Sequence, residues 1–445
     1  MRKIIVLLLI STSFLSCSDK KKEIEKTPNF IIIMADDLGY GDISCYGSPH
    51  TKTPHIDQLA NEGTRFLDFH SNAPVCSPTR AAFMTGKYQQ RTGIEGVVTS
   101  KKHRDVGLGL KEITIAEELK KYNYNNGIYG KWHLGYSKKY NPMNQGFDDY
   151  AGFVSGGIDY HGHIDQEGYL DWWKGTKMDN EDGYVTDLIT QYGLKFLKEN
   201  NPKKTNKPFF LYLPHESPHR PYQRRIDRVL REVGKAGTLA VQDSIQSIYR
   251  EMVEVMDEGV GEIIKALKEI GEYDNTVVIF LSDNGANEYG SNGVLRGFKN
   301  EVYEGGSRVP AIISYPGHIK AGIVNDQTVL TMDLLPTVLD LIQKEPTADY
   351  IDGISIKNNL INESDLPERD VFFAYGNLSF VRSGKWKMIR IKEDNGFNYE
   401  LYDLINDLSE KNNMALENST LLNTMKNKLL LWEKEVRKGA ELITQ

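Results

Sequence analysis

Asp36 and Asp37 stand side by side directly after the apolar, β-branched run Asn29-Phe30-Ile31-Ile32-Ile33-Met34. Two adjacent carboxylates repel each other unless a cation or several donors compensate them. Three more segments share this layout of an apolar run followed by a polar cluster. Gly127-Ile128-Tyr129 leads to Lys131-Trp132-His133, residues 208–213 lead to His215 and then Ser217-Pro218-His219, and residues 276–281 lead to Asp283-Asn284-Gly285. Asp36, Asp37, Asp283 and Asn284 offer only oxygen ligands. That set suits a hard cation such as calcium or magnesium, whereas zinc draws on nitrogen or sulfur. Taken singly, Asp-Asp and Asp-Asn-Gly also read as turns or caps. It is their recurrence at four run ends that gives them weight.

Cys76 opens a different kind of segment, Cys76-Ser77-Pro78-Thr79-Arg80-Ala81-Ala82-Phe83-Met84-Thr85-Gly86. Pro78 fits the first turn of a helix, where its missing N–H costs nothing, and Gly86 can end the helix. Cys76 then lies at a helix N-terminus, where backbone N–H groups and the helix dipole favour an anion. Arg80 adds a permanent positive charge one turn later. The segment reads as an anion cradle with sulfur at its mouth, or more plainly as a capping turn with a free thiol.

These residues need elements to position them. The runs at 29–34, 208–213 and 276–281 are continuous and apolar, as strands buried on both faces are. Helical patterns at 114–122 and 245–270 alternate with them, and 310–314 reads as a further strand. The alternation predicts an α/β fold with a large, mostly parallel sheet sandwiched by helices. In such sheets ligands bind beyond the carboxyl ends of the strands, so four segments deliver acids, histidines and a lysine to one edge. After about residue 343 short runs lie between polar turns, and a last helix is expected over 421–437. This predicts a smaller C-terminal subdomain of antiparallel sheet plus helix, with boundaries at 28–343 and 344–445.

The chain has 445 residues, 40% hydrophobic and 10% aromatic, enough for a sizeable core. Its formal charge of -7, from 54 Lys+Arg and 61 Asp+Glu, argues against nucleic acid as the main partner. At the N-terminus, Arg2-Lys3 precede an apolar run that is too short to span a membrane and fits an export signal. The run ends at Leu15-Ser16-Cys17, similar to a bacterial lipoprotein box. Residues 1–17 therefore read as a signal peptide, with Cys17 as a possible lipidation site, and 18–27 as a solvated tether. The expected location is the periplasm or outer membrane of a Gram-negative bacterium, with the membrane reached only through the lipid. Cys45 is the one remaining disulfide candidate for Cys76 and otherwise reads as a small buried hydrophobe.

Cys76-x-Pro78-Thr79-Arg80 followed by Thr85-Gly86 resembles the modification motif of the type I sulfatases of the alkaline-phosphatase superfamily, with Thr79 where Ser is commoner. Met34-Ala35-Asp36-Asp37-Leu38-Gly39-Tyr40-Gly41-Asp42, Gly130-Lys131-Trp132-His133-Leu134-Gly135, Ser282-Asp283-Asn284-Gly285, Tyr303-Glu304-Gly305-Gly306 and Leu401-Tyr402-Asp403-Leu404 are similar to family segments in family order. The resemblance implies that a formylglycine-generating enzyme oxidises Cys76 to formylglycine. It also implies that Asp36, Asp37, Asp283 and Asn284, together with residue 76, hold one calcium. The hydrated aldehyde would attack the sulfur of a sulfate ester, with Arg80 stabilising the nucleophile. Lys131 and Lys299 would meet the sulfuryl charge, His219 would protonate the leaving alcohol, and His133 would accept the proton that releases sulfate. The implied substrate is a sulfated carbohydrate, for example algal ulvan or carrageenan. His215, and His161 and His163 in an aromatic Gly-rich loop, are candidate substrate contacts, and Trp172-Trp173 reads either as a sugar platform or as packing. Two alternatives are a phosphatase or phosphodiesterase of the same superfamily and a non-catalytic glycan-binding lipoprotein.

Overall fold

A computed structural model describes residues 26–239 and 244–444. The readings on the export signal, on Cys17 and on the tether up to residue 25 lie outside the described residues. The end of the expected tether is docked, since Lys26 Nζ lies 2.6 Å from Glu272 Oε2.

Ten strands form one mixed sheet: β1 (Asn29–Ala35), β2 (Thr64–Phe66), β3 (Asn125–Lys131), β4 (Asp149–Phe153), β5 (Trp173–Lys174), β6 (Lys177–Met178), β7 (Phe209–Pro214), β8 (Thr276–Ser282), β9 (Ala311–Ser314) and β10 (Ile323–Asn325). Their order across the sheet is β10-β2-β9-β8-β1-β7-β3-β4-β5-β6. The run β8-β1-β7-β3-β4 is parallel throughout. β9 is antiparallel to both of its neighbours, and β5 and β6 close the other edge antiparallel.

The helices are α1 (Pro54–Asn61), α2 (Cys76–Thr85), α3 (Ile115–Lys121), α4 (Val185–Glu199), α5 (Ile245–Ile270), α6 (Leu334–Leu341) and α7 (Ser419–Val436), beside shorter turns of helix. All seven residues of β1 are buried, because both faces of the sheet are covered. Phe30, Ile32 and Met34 join one core with Phe83, Leu119 and Leu335. Ile31, Ile33 and Ala35 join a second core with Ile189, Met252 and Val260. Thr114 caps α3: its Oγ1 accepts from Glu117 N–H at 3.1 Å, while Glu117 Oε2 accepts from Thr114 N–H at 2.9 Å.

The C-terminal part is a four-stranded antiparallel meander: β11 (Asp370–Tyr375), β12 (Leu378–Ser383), β13 (Trp386–Glu393) and β14 (Gly396–Asp403). Val381, Met388 and Leu401 pack against Leu422, Met425 and Leu429 of α7. No helix among the described residues is long and apolar enough to cross a membrane.

Candidate active site

β8, β1, β7 and β3 are adjacent and parallel, so their carboxyl ends meet. Asp283 follows β8, Asp36 and Asp37 follow β1, His215 and His219 follow β7, and Lys131 ends β3. Cys76 arrives from another direction as the first residue of α2, after the extended N-cap Val75, and Gly86 ends that helix in the left-handed region at φ 66°. The ligand atoms of Asp36, Asp37, Cys76 and Asp283 all lie within 4.8 Å of one another, and all four residues are buried. Asp37 (φ 64°) and His133 (φ 56°) both adopt the left-handed backbone that non-glycine residues avoid. Strain of this kind persists where the surroundings impose it, and it concentrates at functional sites.

Each carboxylate of the cluster has its own cation. Lys131 Nζ contacts Asp36 Oδ2. Lys299 Nζ donates to Asp37 Oδ1 at 2.5 Å and lies 3.5 Å from Cys76 Sγ. Arg80 donates through Nε (3.1 Å) and Nη2 (2.8 Å) to Asp283 Oδ2, and through Nη1 to the Lys131 carbonyl at 3.2 Å. Arg80 thus binds Asp283, a link that Cys-x-Pro-Thr-Arg alone does not reveal. Lys299 is placed by backbone bonds: Lys299 N–H donates to Ala286 O at 2.8 Å, and Asn300 N–H to Pro74 O at 3.0 Å, beside the Cys76 turn.

Burial raises the Asp37 pKa, but Lys299 and His219 outweigh it and hold the carboxyl well below its usual range. Asp283 is pushed up by burial and then by Asp36, in spite of Arg80. Burial, Asp283 and Asp36 together push the Cys76 thiol up to about 12.

A metal is implied by this donor set, and the residues fit one. Asn284 Nδ2 donates to Asp37 Oδ1 at 2.8 Å, which leaves Asn284 Oδ1 buried with no hydrogen-bond partner. An orphaned acceptor beside three carboxylates, one of them raised by its acidic neighbour, is where a cation relieves two costs at once. The oxygen donors suit calcium.

The two imidazoles have defined tautomers, because carbonyl oxygens only accept. His133 Nε2–H donates to Val98 O at 2.9 Å, leaving Nδ1 as a buried acceptor without a partner. His219 Nδ1–H donates to Arg220 O at 2.7 Å, with Nε2 3.8 Å from Asp37 Oδ2. A cleft of about 1000 Å³ opens over the cluster, and Asp37, His219 and Lys299 lie in its lining.

Two of the three remaining histidine candidates are tied to backbone carbonyls. His161 Nε2 donates to Arg224 O (2.9 Å) and its ring lies on Tyr184, whereas buried His163 donates to Gly183 O (3.0 Å) and stacks on Trp172. His215 is 2% exposed, and burial pushes its pKa down to about 3. None of the three lines the cleft. Trp172 and Trp173 are core residues. Cys45 and Cys76 are both free. Sequence reasoning missed Asn287, whose Nδ2 donates to Asp37 Oδ2 at 3.4 Å, and the cleft residues Arg220, Tyr222, Arg231 and Tyr289. Only the proximity of Arg220 and Tyr222 to His219 in the chain could have flagged any of them.

The sulfatase family model matches residues 28–344, and the N-sulphoglucosamine sulphohydrolase C-terminal model matches residues 297–435. The chain belongs to the sulfatase family. It is a sulfuric ester hydrolase with the fold of the alkaline-phosphatase-like superfamily. Mouse N-acetylgalactosamine-6-sulfatase is 34% identical over 81% of this chain and 71% of its own length. Human arylsulfatase A is 30% identical over 81% of this chain and 75% of its own length. Among solved structures, Ps i-CgsB in complex with k-i-k-neocarrahexaose superposes with TM-score 0.81 at 30% identity, covering 92% of this chain and 93% of that one.

Proposed function

We propose that this sulfatase removes sulfate from a sulfated carbohydrate, using a formylglycine made from Cys76 and one calcium held by Asp36, Asp37, Asp283 and Asn284. The observation that carries the reading is the setting of Cys76. A thiol pushed up to about 12 and buried among three carboxylates is a poor nucleophile, and a hard cation is a poor partner for sulfur. The same setting serves an oxygen well. Three carboxylates and three cations balance, so a divalent ion leaves a surplus of two positive charges, enough for one sulfate monoester and one ionised oxygen.

When present, the hydrated formylglycine and its calcium supply an oxygen nucleophile with a second hydroxyl. The chain's own groups do the rest. Lys131 and Lys299 flank residue 76 and bind the sulfuryl oxygens. Arg80 fixes the orientation of Asp283. His133 Nδ1, unprotonated and without a partner, takes a proton. His219 presents Nε2 to the cleft; as an imidazolium, the form that Asp37 favours, it keeps Nδ1–H on the Arg220 carbonyl and gives the Nε2 proton to the leaving alcohol. The carbohydrate assignment is supported by the neocarrahexaose bound to Ps i-CgsB and by the sugar named for the mouse relative. Residues 1–17 are assigned as a lipoprotein-type signal peptide with lipid on Cys17, 18–27 as its tether, 28–343 as the catalytic part and 344–445 as the C-terminal subdomain. A formylglycine-generating enzyme is the required partner.

Protein co-expressed with such an enzyme should yield a residue-76 peptide that has lost its sulfur, and should release inorganic sulfate from carrageenan or N-acetylgalactosamine 6-sulfate. Cys76→Ala should lower that release at least ~1000-fold with an unchanged melting temperature. A plain thiol in fully active protein, or turnover surviving in Cys76→Ala, refutes the reading.

A further inference from the structure

Arg220 and Arg231 both line the cleft on the side of His219. Arg220 is exposed, and neither arginine forms an ion pair among the described residues. Arg231 is 5% exposed and bonds only to neutral groups: its Nε donates to Thr238 Oγ1 at 3.0 Å, and its Nη1 to the carbonyls of Gly157 (2.9 Å) and Ile164 (3.1 Å).

Glu216, Asp159 and Asp165 lie near Arg231 and partly offset its charge. Burial raises the Glu216 carboxyl well above its ordinary value, which disfavours its charged form. Asp159 is engaged by four backbone N–H groups, those of His161, Gly162, Leu230 and Arg231, at 3.0, 2.7, 2.6 and 3.0 Å. Burial lowers the Arg231 pKa, against the opposing charges of Glu216, Asp159 and Asp165 and with a smaller push from Arg220. The acids Glu288 and Glu301 come from a different lining segment, the one that also carries Lys299. The 219–231 wall therefore carries one exposed guanidinium without an ion pair among the described residues, Arg220, and the nearly buried Arg231 in the same lining.

An exposed guanidinium without a counter-ion in the wall of a substrate cleft is placed to receive an anion from solution. Guanidinium is also the side chain whose planar fork matches sulfate and carboxylate oxygens. We propose that Arg220, with Arg231 in the same cleft wall, forms a second anion subsite, for a sulfate or uronate carboxylate on the substrate beyond the ester placed at Cys76. The subsite rests on the sulfatase reading, and it makes the natural substrate a polyanionic saccharide.

Binding is measured by calorimetry on calcium-loaded full-length protein that retains unmodified Cys76, wild type and Arg220→Gln. Two matched pairs of probes separate the possible anions. κ- and ι-neocarratetraose differ by added sulfates, while N-acetylgalactosamine 6-sulfate and its disaccharide with glucuronate differ by a carboxylate. In at least one pair the extra anion should tighten wild-type binding at least ~10-fold, and Arg220→Gln should cut that gain to less than ~3-fold. The pair that responds identifies the anion. No gain in either pair, or a gain that survives Arg220→Gln, overturns the subsite. Arg220 is exposed, so the variant should keep the wild-type melting temperature. Sulfate release by matured wild-type protein is scored separately: release without any gain refutes the subsite alone, whereas no release from any sulfate ester refutes the sulfatase reading.

Discussion

His133 and His219 are each held on one side by a residue without a side chain. A Cβ added at Gly156 would lie 2.8 Å from His133 Nε2, and one at Gly157 would lie 3.0 Å from His219 Nδ1 and 2.9 Å from Glu216 Oε1. Those two ring nitrogens are the ones that donate to Val98 O and Arg220 O. Gly156→Ala must therefore move the His133 ring off its carbonyl and turn its free Nδ1 away. We expect kcat to fall at least ~10-fold, with KM and the melting temperature nearly unchanged, since catalytic groups lose effect when displaced by a fraction of an ångström to one ångström. A Gly156→Ala enzyme with wild-type kcat would remove this role. At this scale the residue types at the strand ends were legible, because acids and histidines after a buried run have few structural uses. The diglycine was not, because its role is defined by rings 23 and 62 residues away in the chain. The placement of His161 and His163 was not legible either: a histidine beside glycines and aromatics looks the same in sequence whether it faces a cleft or a backbone carbonyl.

At the scale of elements, the continuous apolar runs identified β1, β7 and β8, and the 3.6-residue period located α5 at its observed bounds, Ile245–Ile270. The order of the strands was not legible, and neither was the reversal of β9, because alternating apolar composition does not encode direction. One helix start depends on a distant carboxylate. Thr53 caps α1 without a side-chain bond, and Asp257 of α5 does so instead, its Oδ1 accepting from Ile56 N–H at 2.8 Å and its Oδ2 from His55 N–H at 3.2 Å. Burial outweighs these bonds and raises the Asp257 pKa to about 6. With the folded pKa above the unfolded one, the folded chain binds the extra proton. The stability contributed by this group is thus greatest below the unfolded value near pH 4 and is lost as pH rises to about 6. Asp257→Asn cannot titrate. The melting-temperature advantage of wild type over Asp257→Asn should be larger at pH 5 than at pH 7.5, and an equal gap at both would show that the carboxyl does not titrate there. Asp257→Ala, which removes the cap outright, should cost about 1–2 kcal/mol.

Across the whole molecule, the catalytic sheet and the C-terminal meander are joined by buried charge. Lys387 of β13 is 0% exposed and lies 2.8 Å from Glu304 Oε1 and 2.9 Å from Glu410 Oε1. Glu304 also meets Arg308 at 3.1 Å, while Asp68 meets Arg382 of β12 at 2.7 Å and His70 at 2.9 Å. Asp68, His70 and Glu304 are close enough together to hold an ion. Asp68, Glu304 and Glu410 are already matched one for one by Arg308, Arg382 and Lys387, so the network holds the two parts together without one. Val302, which precedes this network, packs with Phe373, Phe380 and Ile389 of the meander. Residues 297–307 therefore belong physically to both sides of a boundary drawn near residue 343, and they include Lys299 of the site. Lys387→Met leaves two buried carboxylates without their shared cation and should destabilise the chain by about 3–5 kcal/mol. Since the two parts share core and charges, calorimetry should show one transition moving as a whole, with loss of sulfate release following it at the same temperature. A split into two transitions, with only the weaker one shifted and activity retained through it, would show instead that the meander folds as an independent unit.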